Sequence, residues 1–247
     1  MRAKTLVFAG ALILLGFVTC GWSALVNISF GESGLNEVIP DNSASGMFRS
    51  LTVSGYASQA PYFVSVDITV QGTGYGAING NYYSYLRHTS SDGAVSQLAV
   101  LLNRVGVRAD SPTGYLDNGL AVTLDDRGGS DIHNYRWQLN GNHNDPVVGT
   151  LTGTWQPDGR NVDPYGVTDS SPRTTALDSL GVGNPNGTWT LFFADLQAGG
   201  TGNLTDWQVR LTPTPEPSSA VLLALGGFCV WAFRRKRNRT KGKLDLS

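Results

Sequence analysis

Across the middle of the chain, apolar side chains recur at every second position in short runs. The clearest run is YFVSVDITV, Tyr62 to Val70, in which Val64, Val66, Ile68 and Val70 share one face while Ser65, Asp67 and Thr69 share the other. A segment patterned in this way is a strand with one face on a core and one face in water. The same reading predicts strands in SLTVSG, YYSYLRH, QLAVLLN, LAVTLDD, TLTGTW, TWTLFFA and LTDWQVRL. Turn pairs separate them: Asn79-Gly80, Asp92-Gly93, Asn118-Gly119, Asn140-Gly141, Asp158-Gly159 and Asn186-Gly187. No run carries sustained helical amphipathicity, and no segment repeats another. The pattern predicts one all-β domain of antiparallel strands, flanked by two apolar terminal segments.

The N-terminal segment reads as a secretory signal. Arg2 and Lys4 precede TLVFAGALILLGFV, and small residues follow in TCGWSA, so the mature chain is expected to begin near Ala24 or Leu25. Cys20 also admits a lipoprotein reading, for which Phe17 and Thr19 are poor neighbours. At the other end, Ala220 to Phe233 is an apolar run of 14 residues. As a helix it measures about 21 Å, against a hydrocarbon core of about 30 Å. Pro215, Glu216 and Pro217 stand before it, and Arg234 and Arg235 open a basic tail behind it.

The net charge of −1 conceals a segregation. Leu25 to Thr214 holds nine arginines, no lysine and 17 acidic residues, a net −8, whereas seven of the remaining basic residues follow Phe233. An acidic body does not favour capture of nucleic acid, whose binding rests on neutralising phosphates. A basic tail behind an apolar run stays on the cytoplasmic side, so the domain faces outward. Both cysteines, Cys20 and Cys229, lie in the terminal apolar segments, which leaves the domain without a disulfide.

The stretch NPNGTWTLFFADLQAGGTGNLTDWQVRLT predicts a hairpin. Trp189, Leu191 and Phe193 share one face of its first strand, Trp207, Val209 and Leu211 one face of its second, and both tryptophans are expected in the core. The phrase resembles the closing signature of the P domain, or Homo B domain, that follows the catalytic domain of subtilisin-like proprotein convertases. Upstream, IPDNSASGMFRSLTVSG, FVSVDITV, SYLRHTSSDGAVSQLAVLLNRVG, LAVTLDDRGGSDI and GTLTGTWQPDG are similar to that family's segments in their order. Gly80-Asn81-Tyr82 departs from the family's Gly-Asp-Leu, and QGTGYGAINGN and HNYRWQLNGNHNDPVV stand as divergent loops. The resemblance implies a jelly-roll β-sandwich of galactose-binding-domain-like type over residues 25–212. It does not bring the convertases' separate catalytic domain, so the chain is expected not to be an enzyme.

The C-terminal triplet, short apolar helix and Arg-rich end, residues 213–247, resemble the PEP-CTERM sorting signal read by exosortases, membrane cysteine transpeptidases of Gram-negative bacteria that make extracellular polysaccharide. The prolines suit that role, since each fixes φ and removes a donor, keeping the strip extended outside the helix. The plainer reading is a permanent membrane anchor.

Within the domain, Asp125 and Asp126 at a strand end, with Asp131 after a Gly-Gly turn, are the candidate calcium ligands; no cofactor is required, and the plainer reading is a solvated acidic turn. His133 and His143, ten residues apart with no cysteine beside them, do not suit zinc and are expected on the surface. Tyr82, Tyr83, Tyr85, Trp137 and Trp155 are candidate ligand aromatics if exposed, and core if not. Three functions fit: a binding or structural protein of the cell surface or matrix, sorted by an exosortase; an accessory P domain beside a separate subtilisin-like protease; and a carbohydrate-binding module for extracellular polysaccharide.

Overall fold

The computed structural model describes residues 26–56, 61–73, 76–214 and 226–227. The signal segment and the sorting residues Pro215, Glu216, Pro217, Arg234 and Arg235 lie outside the described residues. Among the described residues no helix is long and apolar enough to cross a membrane.

Each predicted run forms a strand, because its alternate apolar residues find a facing sheet to bury against. In chain order the strands are β1 (Ile28–Glu32), β2 (Glu37–Ile39), β3 (Met47–Val53), β4 (Tyr62–Thr73), β5 (Tyr82–Ser90), β6 (Ser96–Asn103), β7 (Leu120–Asp125), β8 (Leu151–Trp155), β9 (Gly187–Asp195) and β10 (Thr201–Pro213), with a short helix, α1 (Tyr135–Asn140), between β7 and β8. One sheet runs β1-β10-β4-β7-β8, with β2 beside β1 on the free side of β10; the other runs β3-β9-β5-β6. The two form an all-β sandwich. All pairings among these strands are antiparallel except β7 with β8, which is parallel.

The core lies between the sheets. Val64, Val66, Ile68 and Val70 of β4 and Trp207, Val209 and Leu211 of β10 meet Trp189, Leu191 and Phe193 of β9 and Tyr82 and Leu86 of β5. Trp189 is fully buried. Its ring stacks on His88 at 4.2 Å and meets Phe30 at 5.5 Å, and its Nε1 donates to the carbonyl of Pro185 at 3.0 Å. Leu204 and Trp207 both face the core although three positions separate them. The register against β4 shifts between Leu204 and Asp206, and this bulge restores the inward parity.

The structure departs from strict alternation in β6, where Val100, Leu101 and Leu102 are all buried. A later segment runs along this edge: Asp158 N donates to Leu101 O and Gly159 N to Val100 O, both at 3.0 Å, while Val100 N donates to Thr175 Oγ1 at 3.1 Å. The unpaired edge of the sheet is thereby covered.

Two expected hairpin turns serve other ends. Asn140-Gly141 closes α1, with Gly141 left-handed at φ 67° and its N–H bonded to Trp137 O. Asn79-Gly80 lies in a 3-10 turn, Asn79–Asn81. An Asn-Gly pair supplies a flexible backbone; whether it closes a hairpin or a helix depends on what flanks it. The sequence did not predict β1 and β2, which are short and carry little alternation; their pairing with β10 makes them strands.

Truncating Trp189 to Ala removes the ring from the most enclosed part of this core and is expected to cost about 3 to 5 kcal/mol. Chemical denaturation checks it: Trp189→Ala should unfold at much lower denaturant, whereas Phe48→Ala, 58% exposed on β3, should barely move the midpoint.

Candidate functional site

The five candidate aromatics fall into separate environments. Tyr82 is fully buried, edge-on to Phe193 at 5.2 Å, and Trp155 is buried with Nε1 bonded to Thr152 O. Neither belongs to a ligand platform. Tyr83 and Tyr85 alternate with Tyr82 on β5 and so point out of the sandwich, around Phe192; Tyr85 stacks on Phe192 at 4.8 Å, and Phe48 packs against it from β3 at 4.8 Å. Arg87 lies over the Tyr85 ring at 5.2 Å. Trp137 stands apart on α1, 51% exposed, its ring stacked on His143 at 5.2 Å and 26°.

Trp137 borders a concavity built by three segments of irregular chain between β6 and β8. Asp117, wholly buried, joins them. Its carboxylate accepts from Tyr135 Oη at 2.6 Å, from Arg136 Nε and Nη2 at 2.7 and 2.8 Å, and from Val147 N at 2.9 Å. Tyr115 lies over Gly106, whose left-handed backbone (φ 81°) and missing Cβ admit the ring. Arg136 sits 4.7 Å from the Tyr115 ring centroid.

His143 divides the concavity. Its Nδ1 meets Tyr115 Oη at 2.5 Å. Burial first, and then the Arg108 charge, hold its pKa below the ordinary histidine value, while burial pushes the Tyr115 hydroxyl up to about 12. Tyr115 therefore keeps its proton, and the contact is a hydrogen bond between a neutral hydroxyl and a ring nitrogen. On one side of His143, a chamber of about 200 Å³ is lined by Asn134, Trp137, Gln138 and Asp169. On the other, a chamber of about 480 Å³ includes Arg108, Arg136, Leu116 and Pro146. Leu116 and Pro146 also border a third, of about 560 Å³, beside Asn118 and Thr150. The three chambers adjoin along one surface, sharing His143, Leu116 and Pro146 as lining residues. Both of its arginines are matched internally, Arg136 by Asp117 and Arg108 by Asp110 at 3.0 Å.

The three candidate calcium ligands are not brought together, because each is committed elsewhere. Asp125 accepts from Arg127 Nε and Nη2 at 2.7 Å; burial pushes its pKa up, but the Arg127 bonds outweigh that and hold it below the usual carboxylate value. Asp126 accepts from Asp178 N at 2.7 Å. Asp131 caps a 3-10 turn through His133 N and pairs with Arg160 at 2.8 Å. Among the described residues no group of three or more acidic, histidine or cysteine side chains is placed to hold a metal.

The expectation that His133 lies on the surface is corrected. It is fully buried, its Nδ1 2.8 Å from Asp158 Oδ2 and its Nε2 3.0 Å from Val107 O. Its partners come from segments distant in sequence, which its polar neighbours could not reveal. His143, expected beside it, is half-buried against Tyr115 and Trp137.

A further buried acid, Asp195 of β9, escaped the sequence reading. One carboxylate oxygen accepts from Gln197 N at 3.1 Å, while Oδ2 has no partner among the described protein atoms. Burial, with a smaller contribution from Asp41, raises its pKa to about 6, against the bond from Gln197 N.

Comparison with known proteins identifies the C-terminal end. A model of the PEP-CTERM protein-sorting motif matches residues 213–237. No curated protein sequence matches the chain. Two solved structures align with the chain: the Aeromonas sobria serine protease in complex with its chaperone, at 14% identity and TM-score 0.39, covering 78% of this chain and 27% of that one, and the A. sobria serine protease alone, at 13% and 0.37, covering 77% and 27%. The chain thus spans about a quarter of the length of these structures.

Two outcomes follow from the buried acids. Asp117→Ala leaves Arg136 without its carboxylate and is expected to cost about 3 to 5 kcal/mol, read as a lowered unfolding midpoint with protease sensitivity appearing first at 104–119 and 141–150. Folded Asp195 holds its proton up to about pH 6, whereas the unfolded chain releases it near the ordinary 3.8. The native state then binds more protons, so this residue's contribution to stability falls as pH rises through that window and levels off above it. Asp195→Asn should gain on the wild type by on the order of 2 kcal/mol between pH 4 and 7; denaturation curves of both proteins at each pH measure the difference, and a constant difference would refute it.

Proposed function

We propose that this chain is an exported protein of the cell envelope, surface or matrix, whose β-sandwich is a binding module and whose C-terminal segment is recognised and removed by an exosortase. The observation that carries the reading is the position of the sorting motif. It begins at Pro213, the last residue of β10. β10 is flanked by β4 on one side and by β1 and β2 on the other, so the segment leaves from the interior of a sheet; its first two residues still pair there, Pro213 opposite Tyr62 and Thr214 N donating to Pro61 O at 2.9 Å, and the described bonding to the domain ends with them. Removing everything after the Pro-Glu-Pro triplet takes no strand from the sandwich. The acidic body and the basic tail support outward display of the domain during processing.

The role assigned to the domain is binding rather than catalysis. His88 is stacked in the core, His133 is bonded at both ring nitrogens, and His143 is held by Tyr115, which commits each histidine to structure. The groove beside Trp137 gives the domain a concave surface for a ligand. The resemblance of the closing hairpin to the P domain supports a non-catalytic partner role in the same way.

Replacing Pro215-Glu216-Pro217 with three alanines tests the reading. If the triplet is read by a sorting enzyme, uncleaved precursor should accumulate in the inner membrane with its sandwich folded. If the apolar run is a plain anchor, the substitution should change nothing. Intact mass of the wild-type protein from native envelopes decides between them, since a mass that still includes Arg234 to Ser247 overturns the proposal.

A further inference from the structure

Resting on the reading of the sandwich as a displayed binding module, we propose that the groove running from Leu116 past His143 to Trp137 binds an extended, uncharged glycan, with one sugar ring stacked on the open face of the Trp137 indole.

Three observations converge on this class of ligand. The first is shape: three chambers of about 560, 480 and 200 Å³ lie side by side, with Leu116 and Pro146 lining the first two and His143 the last two. A succession of chambers suits a chain of similar units better than a single compact molecule. The second is the pairing of an aromatic plane with short polar side chains. One face of the Trp137 ring is covered by His143, and half of the residue remains exposed. Asn134, Gln138 and Asp169 line the same chamber. A pyranose has an apolar C–H face and a rim of hydroxyls that each donate and accept; an indole plane matches the face, and amides and a carboxylate match the rim.

The third observation is charge. Arg108 and Arg136 are both neutralised by the site's own carboxylates, and Asp169 adds a further negative group. A polyanion, whether an acidic polysaccharide or a nucleic acid, would meet no unmatched cation there and would be repelled. An extended peptide is disfavoured for a different reason. The chambers around His143 and Trp137 are lined by loop and helix residues and offer no free strand edge for backbone pairing. The exposure of Trp137 and Leu116, at 51% and 63%, also finds a use here, since two large apolar side chains bordering one concavity lose water when a ligand lies along it.

Affinity electrophoresis of the full chain in detergent tests the proposal, through gels containing hydroxyethylcellulose, galactomannan or dextran, with alginate as the polyanion and an extended Pro-rich peptide as competitor. At least one neutral polysaccharide should retard the protein, and alginate should not. Trp137→Ala should weaken that retardation on the order of tenfold, Trp137→Phe should retain part of it, and neither should shift the melting temperature, because the side chain is exposed. No retardation by any neutral polysaccharide, stronger retention by alginate, displacement by the peptide, or undiminished binding by Trp137→Ala would each overturn it. None of these variants touches the C-terminal segment. Failure here with normal C-terminal processing therefore sinks the glycan site alone, while a failure of processing leaves this measurement intact.

Discussion

A single carboxylate holds the irregular half of this molecule in place. Asp117 is wholly buried and receives hydrogen bonds from a tyrosine hydroxyl, both sides of an arginine fork and a backbone amide. An ionised group out of water is tolerated only when its acceptor sites are filled, and here every donor comes from a segment that would otherwise be loose. Tyr135 and Arg136 start the short helix, and Val147 lies on the loop that returns to β8. A six-residue helix has little intrinsic stability; tertiary bonds at its first turn fix it and so fix the direction of Trp137 two residues on. The groove is a consequence of that ion pair.

A second buried network performs the equivalent task at the edge of the other sheet. Asp158 accepts from His133 Nδ1, from Asn103 N and from Arg160, and Arg160 reaches across to Asp131. The backbone beside Asp158 hydrogen-bonds to β6. Polar side chains here take the place of a further strand, closing an edge that would otherwise be open to pairing with another chain. The residues that looked like metal ligands or surface histidines are consumed in this work: Asp131 and His133 belong to the clip, and Asp125 belongs to Arg127.

The sandwich and the sorting segment are mechanically distinct. The last strand lies inside its sheet and is pinned at its bulge and along its length by β4, while the segment matched to the sorting motif starts at its final residue. The sorting motif and the concave surface beside Trp137 therefore occupy different parts of the chain.

The alternation of Val64, Val66, Ile68 and Val70, and the two tryptophans of the closing hairpin, determined the all-β class and the core without reference to any other segment, because a strand's inward and outward faces are a local property of period two. The same rule separates Tyr82, which shares its face with Leu86, from Tyr83 and Tyr85. The C-terminal triplet was equally legible, since a sorting signal is read as linear chemistry. Tertiary structure alone decided the rest. Whether His133 is buried depends on Asp158, 25 positions away; whether three aspartates form a cage depends on the two arginines and the backbone amide that reach them first; and whether Trp137 faces solvent depends on Asp117. These outcomes are set by pairings between segments distant in sequence, and the cost of burying an unpaired charge, not any periodicity along the chain, selects among them.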